Sequence, residues 1–207
     1  RWLDEHGEWK DQTSRINSVA GISSTAAQTP RALGIAYASK LYRERPDLAE
    51  HATFFSKGGQ EVCYTTIGDA STSEGMYFEC INAAGVLQVP IIFSVWDDGY
   101  GISVPIEFQT TKSSISKALA GFQRNEDGKG LEIIEVKAWD YPGLLAAYVR
   151  AAKLAREEFV PCLVHVIECT QPQGHSASGS HERYKSTDRL AWEHEADCNL
   201  LFRKWIL

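Results

Sequence analysis

Residues 68–103 read GDASTSEGMYFECINAAGVLQVPIIFSVWDDGYGIS. Just before them, residues 61–67 (EVCYTTI) have the β-branched and aromatic character of a short strand. Gly68, Asp69 and a run of small residues follow, and Ser73 and Glu74 open a helical run from Gly75 to Gln88. Pro90 restarts the chain as a second apolar strand, IIFSVW, which ends at Asp97, Asp98, Gly99 and Tyr100. The pattern predicts a strand–helix–strand unit of the length a parallel crossover needs. Both acidic turns then lie at the carboxyl ends of strands, the edge where open α/β sheets take their ligands.

The residue types at that edge suit an anion held through a cation. Small side chains at 70–73 let backbone amides come close to phosphate at a helix entry. Asp69 and Asp98, 29 residues apart, would repel a bare diphosphate. A hard cation such as Mg²⁺, which takes one or two carboxylates together with phosphate oxygens and water, resolves the conflict. The plain alternative is a helix-entry Asp at 69 and an ordinary Asp-Gly turn at 97–99.

The 207-residue chain is 43% hydrophobic and 23% charged, a globular composition, and one large domain is the simplest count. A net charge of −6 without a basic run argues against a nucleic-acid partner. No apolar stretch reaches membrane length, and no signal-peptide pattern is present. The five cysteines, at 63, 80, 162, 169 and 198, show no paired metal spacing. Cys63, Cys80 and Cys162 read as small buried hydrophobes in a reducing compartment, bacterial-type cytoplasm or a mitochondrial matrix. The start, RWLDEHGEWK, and the apolar end, Trp205 to Leu207, read as cuts through a longer chain.

Elsewhere, the small and hydroxylic residues 19–29 (VAGISSTAAQT) precede a helix from Pro30 to about Arg45. Residues 46–60 read as a loop or broken helix, and TTKSSISKAL as room for a short helix. Residues 131–138 alternate like a strand, and 142–159 form an amphipathic helix with Leu144, Leu145, Tyr148, Val149, Ala152 and Leu154 inward. Residues 161–169 make another buried strand, in which His165 reads as a satisfied core histidine. The polar loop after it, QPQGHSASGSHERY, emerges at the same ligand-binding edge. Residues 190–207 predict one final helix.

GDASTSEG and DDGYGIS together resemble the thiamine diphosphate motif in its 2-oxo acid dehydrogenase form, GDG-x-x-SEG followed by an NNGYAIS-like strand end. SSTAAQTPRALGIAYASK and the GHS loop resemble further segments of the alpha-type part of that family, and the likeness covers about residues 18–190. It implies a three-layer α/β thiamine-diphosphate-binding fold with a mainly parallel sheet flanked by helices. It assigns thiamine diphosphate contacts to Ser23, Thr25, Gly68, Asp69, Ala70, Ser71, Asp98, Tyr100, Ile102 and His175. Mg²⁺ would be held by the Asp69 and Asp98 side chains and the Tyr100 backbone carbonyl. His175 takes the place of the catalytic histidine, and Ser176 that of a serine phosphorylated in animal relatives. Ala70 stands where the family has Gly, and Asp98 where it usually has Asn, which preserves the oxygen ligand. Thr25 stands for an apolar residue and Ala27 for Thr. Gln171 stands for a diphosphate-binding Arg, with Arg183 and Lys185 as nearby cations whose simpler reading is solvated loop charge.

The same likeness implies oxidative decarboxylation of a 2-oxo acid, with the acyl fragment passed to a lipoyl group on a partner acyltransferase. The family's activating glutamate comes from a beta-type subunit or domain, so the active site is expected at an interface, in an alpha2beta2-type assembly or a dimer of fused chains. A transketolase-like thiamine enzyme and a cofactor-poor scaffold subunit of the same fold are the rival readings.

Overall fold

The computed structural model describes residues 2–19, 21, 23–171, 173–175 and 180–207. In chain order the regular elements are α1 (Gln28–Glu44), α2 (Pro46–Ala49), β1 (Cys63–Gly68), α3 (Gly75–Leu87), β2 (Ile91–Trp96), β3 (Tyr100–Gly101), β4 (Val104–Pro105), α4 (Ile115–Ala118), β5 (Glu132–Lys137), α5 (Tyr141–Glu158), β6 (Cys162–Ile167), α6 (Thr187–Glu195) and α7 (Cys198–Ile206). Strands β1, β2, β6 and β5 form, in that order, a wholly parallel four-stranded sheet. β3 and β4 make a separate antiparallel ribbon.

Period-two alternation sends successive residues of each strand to opposite faces. Ile67 of β1, Ile91, Phe93 and Val95 of β2 and Leu163 of β6 bury against Ala32 and Ala36 of α1 and Tyr77, Ile81 and Ala84 of α3. Ile92, Val164 and Val166 bury on the other face against Ala147, Ala151 and Ala155 of α5. Phe93 is fully buried, which alone stabilises the fold by roughly 1.5–3 kcal/mol. The result is three layers, helix, sheet and helix, as expected for this pattern.

The topology places the site. β1 leads through α3 to its neighbour β2, and β5 leads through α5 back to its neighbour β6, so the strand order reverses between β2 and β6. At such a reversal the connections leave to opposite faces and open a crevice at the carboxyl ends. The register Gly68↔Trp96 and Trp96↔Val166 brings the ends of β1, β2 and β6 level with one another.

Several details differ from the sequence expectation. α1 starts at Gln28, two residues before Pro30, because the Ser23–Ala27 turn already delivers helical backbone at Ala27. On α5, Ala147, Ala151 and Ala155 are buried at the centre of the inner face, Leu144, Tyr148, Ala152 and Leu154 pack partly buried around them as expected, and Leu145 and Val149 are exposed. Small side chains at i, i+4 and i+8 let the helix lie close on the sheet, which the larger residues would prevent. The final helix is two, broken at Ala196 and Asp197, where the Asp197 carboxylate accepts from the Leu200 N–H and caps α7. Cys80 and Cys162 are buried as expected, and Cys63 is half-buried.

Candidate functional site

Asp69 follows β1 directly, and its N–H donates to the Trp96 carbonyl (3.1 Å), pinning it beside the end of β2. The residue is 3% exposed. Among the described residues its Oδ2 is one of the few buried side-chain polar atoms without a hydrogen-bond partner. Burial first, and then the charges of Asp97 and Asp98, push its pKa up to about 7. Ala70–Ser73 follow as a single 3₁₀ turn, in which the Thr72 hydroxyl donates back to the Asp69 carbonyl (2.5 Å).

The second turn is held from below. Asp97 is buried, its Oδ1 accepts from the Gly99 N–H (2.8 Å), and its Oδ2 bonds the Nε2 of His165 (2.8 Å). His165, fully buried in β6, bonds the Ser116 hydroxyl through Nδ1, so both ring nitrogens are satisfied and the core reading of this histidine holds. Gly99 turns the chain at φ +79°, as an Asx turn of this kind needs. Asp98 is half-buried and accepts from the Tyr100 N–H (3.2 Å); burial raises its pKa, against the pull of Lys185 and Arg189.

The β3–β4 ribbon closes the turn. Ile102, at φ +59°, is a β-branched residue in left-handed backbone, a strained position next to the acidic pair. A methyl added at Gly101 would collide with the Gln109 side-chain amide and lie 2.7 Å from the Ala70 methyl. Ala70 is therefore accommodated because its neighbour across the turn is Gly101.

The remaining expected residues are placed as follows. Ser23 and Thr25 are exposed in the turn before α1. Gln28 ties that turn to the same sheet edge by donating to the Thr66 carbonyl (2.8 Å). Gly68 is exposed, Ser71 half-buried and Ile102 exposed. His175 is exposed, in the loop that leaves β6 through Glu168 at φ +57°. Ser176 lies outside the described residues. Gln171 is half-buried and Arg183 exposed. Lys185 is not a solvated charge: it is 5% exposed and pairs with the buried Glu193 (2.7 Å). The structure thus brings Asp69, Ala70, Asp98 and Tyr100 together, with Ser23, Thr25 and His175 on peripheral segments.

Two groups escaped the sequence reading. One is the Asp97–His165–Ser116 chain under the turn. The other is α6, whose Arg189 donates to the Asp98 carbonyl (2.6 Å). The only local signal for the latter was the i, i+4 pair Arg189–Glu193 on a helix capped by Ser186.

Chemically, this is an acidic crevice with one orphaned, buried carboxylate oxygen, which fits a hard divalent cation. No three His, Cys, Asp or Glu side chains converge as a ready-made metal cage among the described residues. Two carboxylates completed by backbone, phosphate and water oxygens need no such cage.

The fold and site define the class: a parallel three-layer α/β domain with paired acidic turns at its strand-order reversal. Comparison with known proteins narrows it: residues 4–207 match the Dehydrogenase E1 component family, and the chain belongs to that family. It is 26% identical over 197 residues to 2-oxoisovalerate dehydrogenase subunit alpha 2, mitochondrial, of Arabidopsis thaliana, covering 94% of this chain and 36% of that protein. It is 26% identical over 200 residues to the 2-oxoisovalerate dehydrogenase subunit alpha of Bacillus subtilis, covering 97% and 53%. It is 28% identical over 196 residues to the pyruvate dehydrogenase E1 component subunit alpha of Staphylococcus aureus, covering 92% and 46%. The chain therefore spans between about a third and a half of these relatives. Among solved structures, a transketolase from Campylobacter jejuni aligns with TM-score 0.49 at 18% identity, over 67% of this chain and 19% of that one.

Proposed function

We propose that this chain is the alpha-type, diphosphate-binding part of a thiamine diphosphate-dependent 2-oxo acid dehydrogenase, acting with a beta-type subunit or domain and passing its acyl product to a lipoyl-bearing acyltransferase. The observation that carries the reading is the buried, partnerless Asp69 Oδ2 beside the charges of Asp97 and Asp98. Like charges crowded at this edge cost stability, and a divalent cation held by Asp69 and Asp98 together with a diphosphate would offset that cost.

When bound, thiamine diphosphate supplies the nucleophile and electron sink needed to expel CO₂ from a 2-oxo acid. This chain's residues do the holding. Asp69 and Asp98 would hold Mg²⁺ through carboxylate oxygens, and the Tyr100 carbonyl, on the same turn as Asp98, would be available as a third oxygen. The 3₁₀ turn of small residues 70–73 is the segment we assign to the phosphate oxygens, and the Ser23–Ala27 turn is fastened to the end of β1 by Gln28. His175, exposed in the loop that follows β6, is the residue we assign to orienting a carboxylate or moving a proton near neutral pH.

The test is turnover with an artificial electron acceptor by the chain assembled with its beta-type partner region, offered pyruvate, branched-chain 2-oxo acids and 2-oxoglutarate. Thiamine-dependent oxidation of one of them, abolished by Asp69→Ala, supports the reading. Turnover with that variant equal to wild type would refute the metal-ligand assignment.

A further inference from the structure

The acidic turn is gripped from above by α6, a helix distant from it in sequence. Arg189 of α6 donates through Nη2 to the Asp98 carbonyl (2.6 Å) and through Nε to the Glu193 carboxylate (2.8 Å). Its guanidinium lies 4.8 Å from the Trp192 ring centroid and 5.5 Å from that of Tyr100. Glu193 is 5% exposed and is also held by Lys185, through contacts of 2.7 and 3.0 Å. Lys185 in turn lies 5.0 Å from the Tyr100 ring, and Tyr184 packs against that ring at 5.7 Å. A carboxylate this deeply buried is maintained only when fully paired, and the two cations pair it. The guanidinium fork can serve Glu193 and the turn carbonyl at once because its donors are set in a rigid plane.

We propose that Arg189, braced by Glu193 and Lys185, is a positioning residue for cation binding: it fixes the Asp98–Tyr100 turn so that the Asp98 carboxylate and the Tyr100 carbonyl are preset for the metal. The inference rests on the reading that Asp69 and Asp98 hold the cation. Arg189 itself touches neither metal nor cofactor; it acts through the backbone of Asp98. The geometry gives it a second consequence. The segment that carries His175 ends at Tyr184 and Lys185, so the same brace anchors that loop's far end to the metal turn.

The experiment measures the Mg²⁺ concentration for half-maximal thiamine diphosphate binding, by calorimetry on the chain assembled with its beta-type partner region, alongside melting temperature in EDTA. Wild type must first show Mg²⁺-dependent binding; if it does not, the underlying metal reading fails rather than the role of Arg189. Given that dependence, Arg189→Met is expected to raise the Mg²⁺ requirement about tenfold. Arg189→Lys, which keeps the charge but cannot hold both partners, is expected to raise it about threefold. A folded Arg189→Met complex with the wild-type Mg²⁺ requirement overturns the proposal. If that variant does not assemble, Arg189→Lys decides alone, and a wild-type requirement there overturns it equally. A lower melting temperature in EDTA with an unchanged Mg²⁺ requirement marks a merely structural role and counts against the proposal.

Discussion

Replacing Asp69 by asparagine should stabilise the chain in chelator while destroying its use of metal, and the gain should depend on pH in a defined way. In the folded chain the Asp69 pKa stands at about 7 against an ordinary 3.8. Between those values the folded state keeps a proton that the unfolded chain has released. Stability from this group is therefore fully present below the lower value and is lost as pH rises through the upper one. The loss runs at about 1.4 kcal/mol per pH unit and levels off above the folded pKa. The amide of the Asp69→Asn variant does not titrate. From pH 5 to pH 8 the variant should gain on the order of 3 kcal/mol on wild type, nearly all of it before neutrality. The raised titration of Asp98 is common to both proteins and largely cancels in the difference. Urea denaturation in EDTA at pH 5, 6, 7 and 8 measures the difference directly. A difference that stays constant with pH, or that shrinks as pH rises, would refute the account of a desolvated carboxylate crowded by like charges.

Further outcomes follow from the neighbouring contacts. His165→Ala should cost about 3 kcal/mol in denaturation experiments, because it opens a cavity and strips the buried Asp97 carboxylate of its 2.8 Å partner. Gly101→Ala should destabilise by about 1–3 kcal/mol through collision with Gln109 and the Ala70 methyl, and adding Ala70→Gly should recover part of that in a double-mutant cycle. His175→Ala should leave thiamine diphosphate affinity within about twofold by calorimetry and lower lipoyl acylation by roughly 10²-fold or more, the range of a lost acid–base group; unchanged acylation would return this exposed side chain to an ordinary loop residue.

The β1–α3–β2 unit was legible because its punctuation is local. Pro90 separates helix from strand, β-branched runs mark the strands, and both acidic turns sit at strand ends. Asp69 and Asp98 followed from that unit and from the likeness of their flanking residues to a known motif. What escaped was set by packing. Reading by size put Leu145 and Val149 inside α5, where close approach to the sheet selects Ala147, Ala151 and Ala155 instead. One capping carboxylate, Asp197, divides what periodicity alone presents as a continuous helix. The supports of the acidic turn were invisible for a simpler reason: His165 meets Asp97 across 68 residues and Arg189 meets Asp98 across 91, and neither pairing leaves a trace in local spacing.

Everything proposed for this chain depends on the Asp69–Asp98 crevice holding a diphosphate through a cation. Calorimetric titration of thiamine diphosphate into the chain assembled with its beta-type partner region, once with Mg²⁺ and once with EDTA, tests it most directly. Binding that appears with Mg²⁺ and vanishes with EDTA is the predicted result. Binding of equal strength in both, or none in a properly assembled complex, would contradict it, and the second outcome would make the chain a scaffold that keeps the fold without the cofactor.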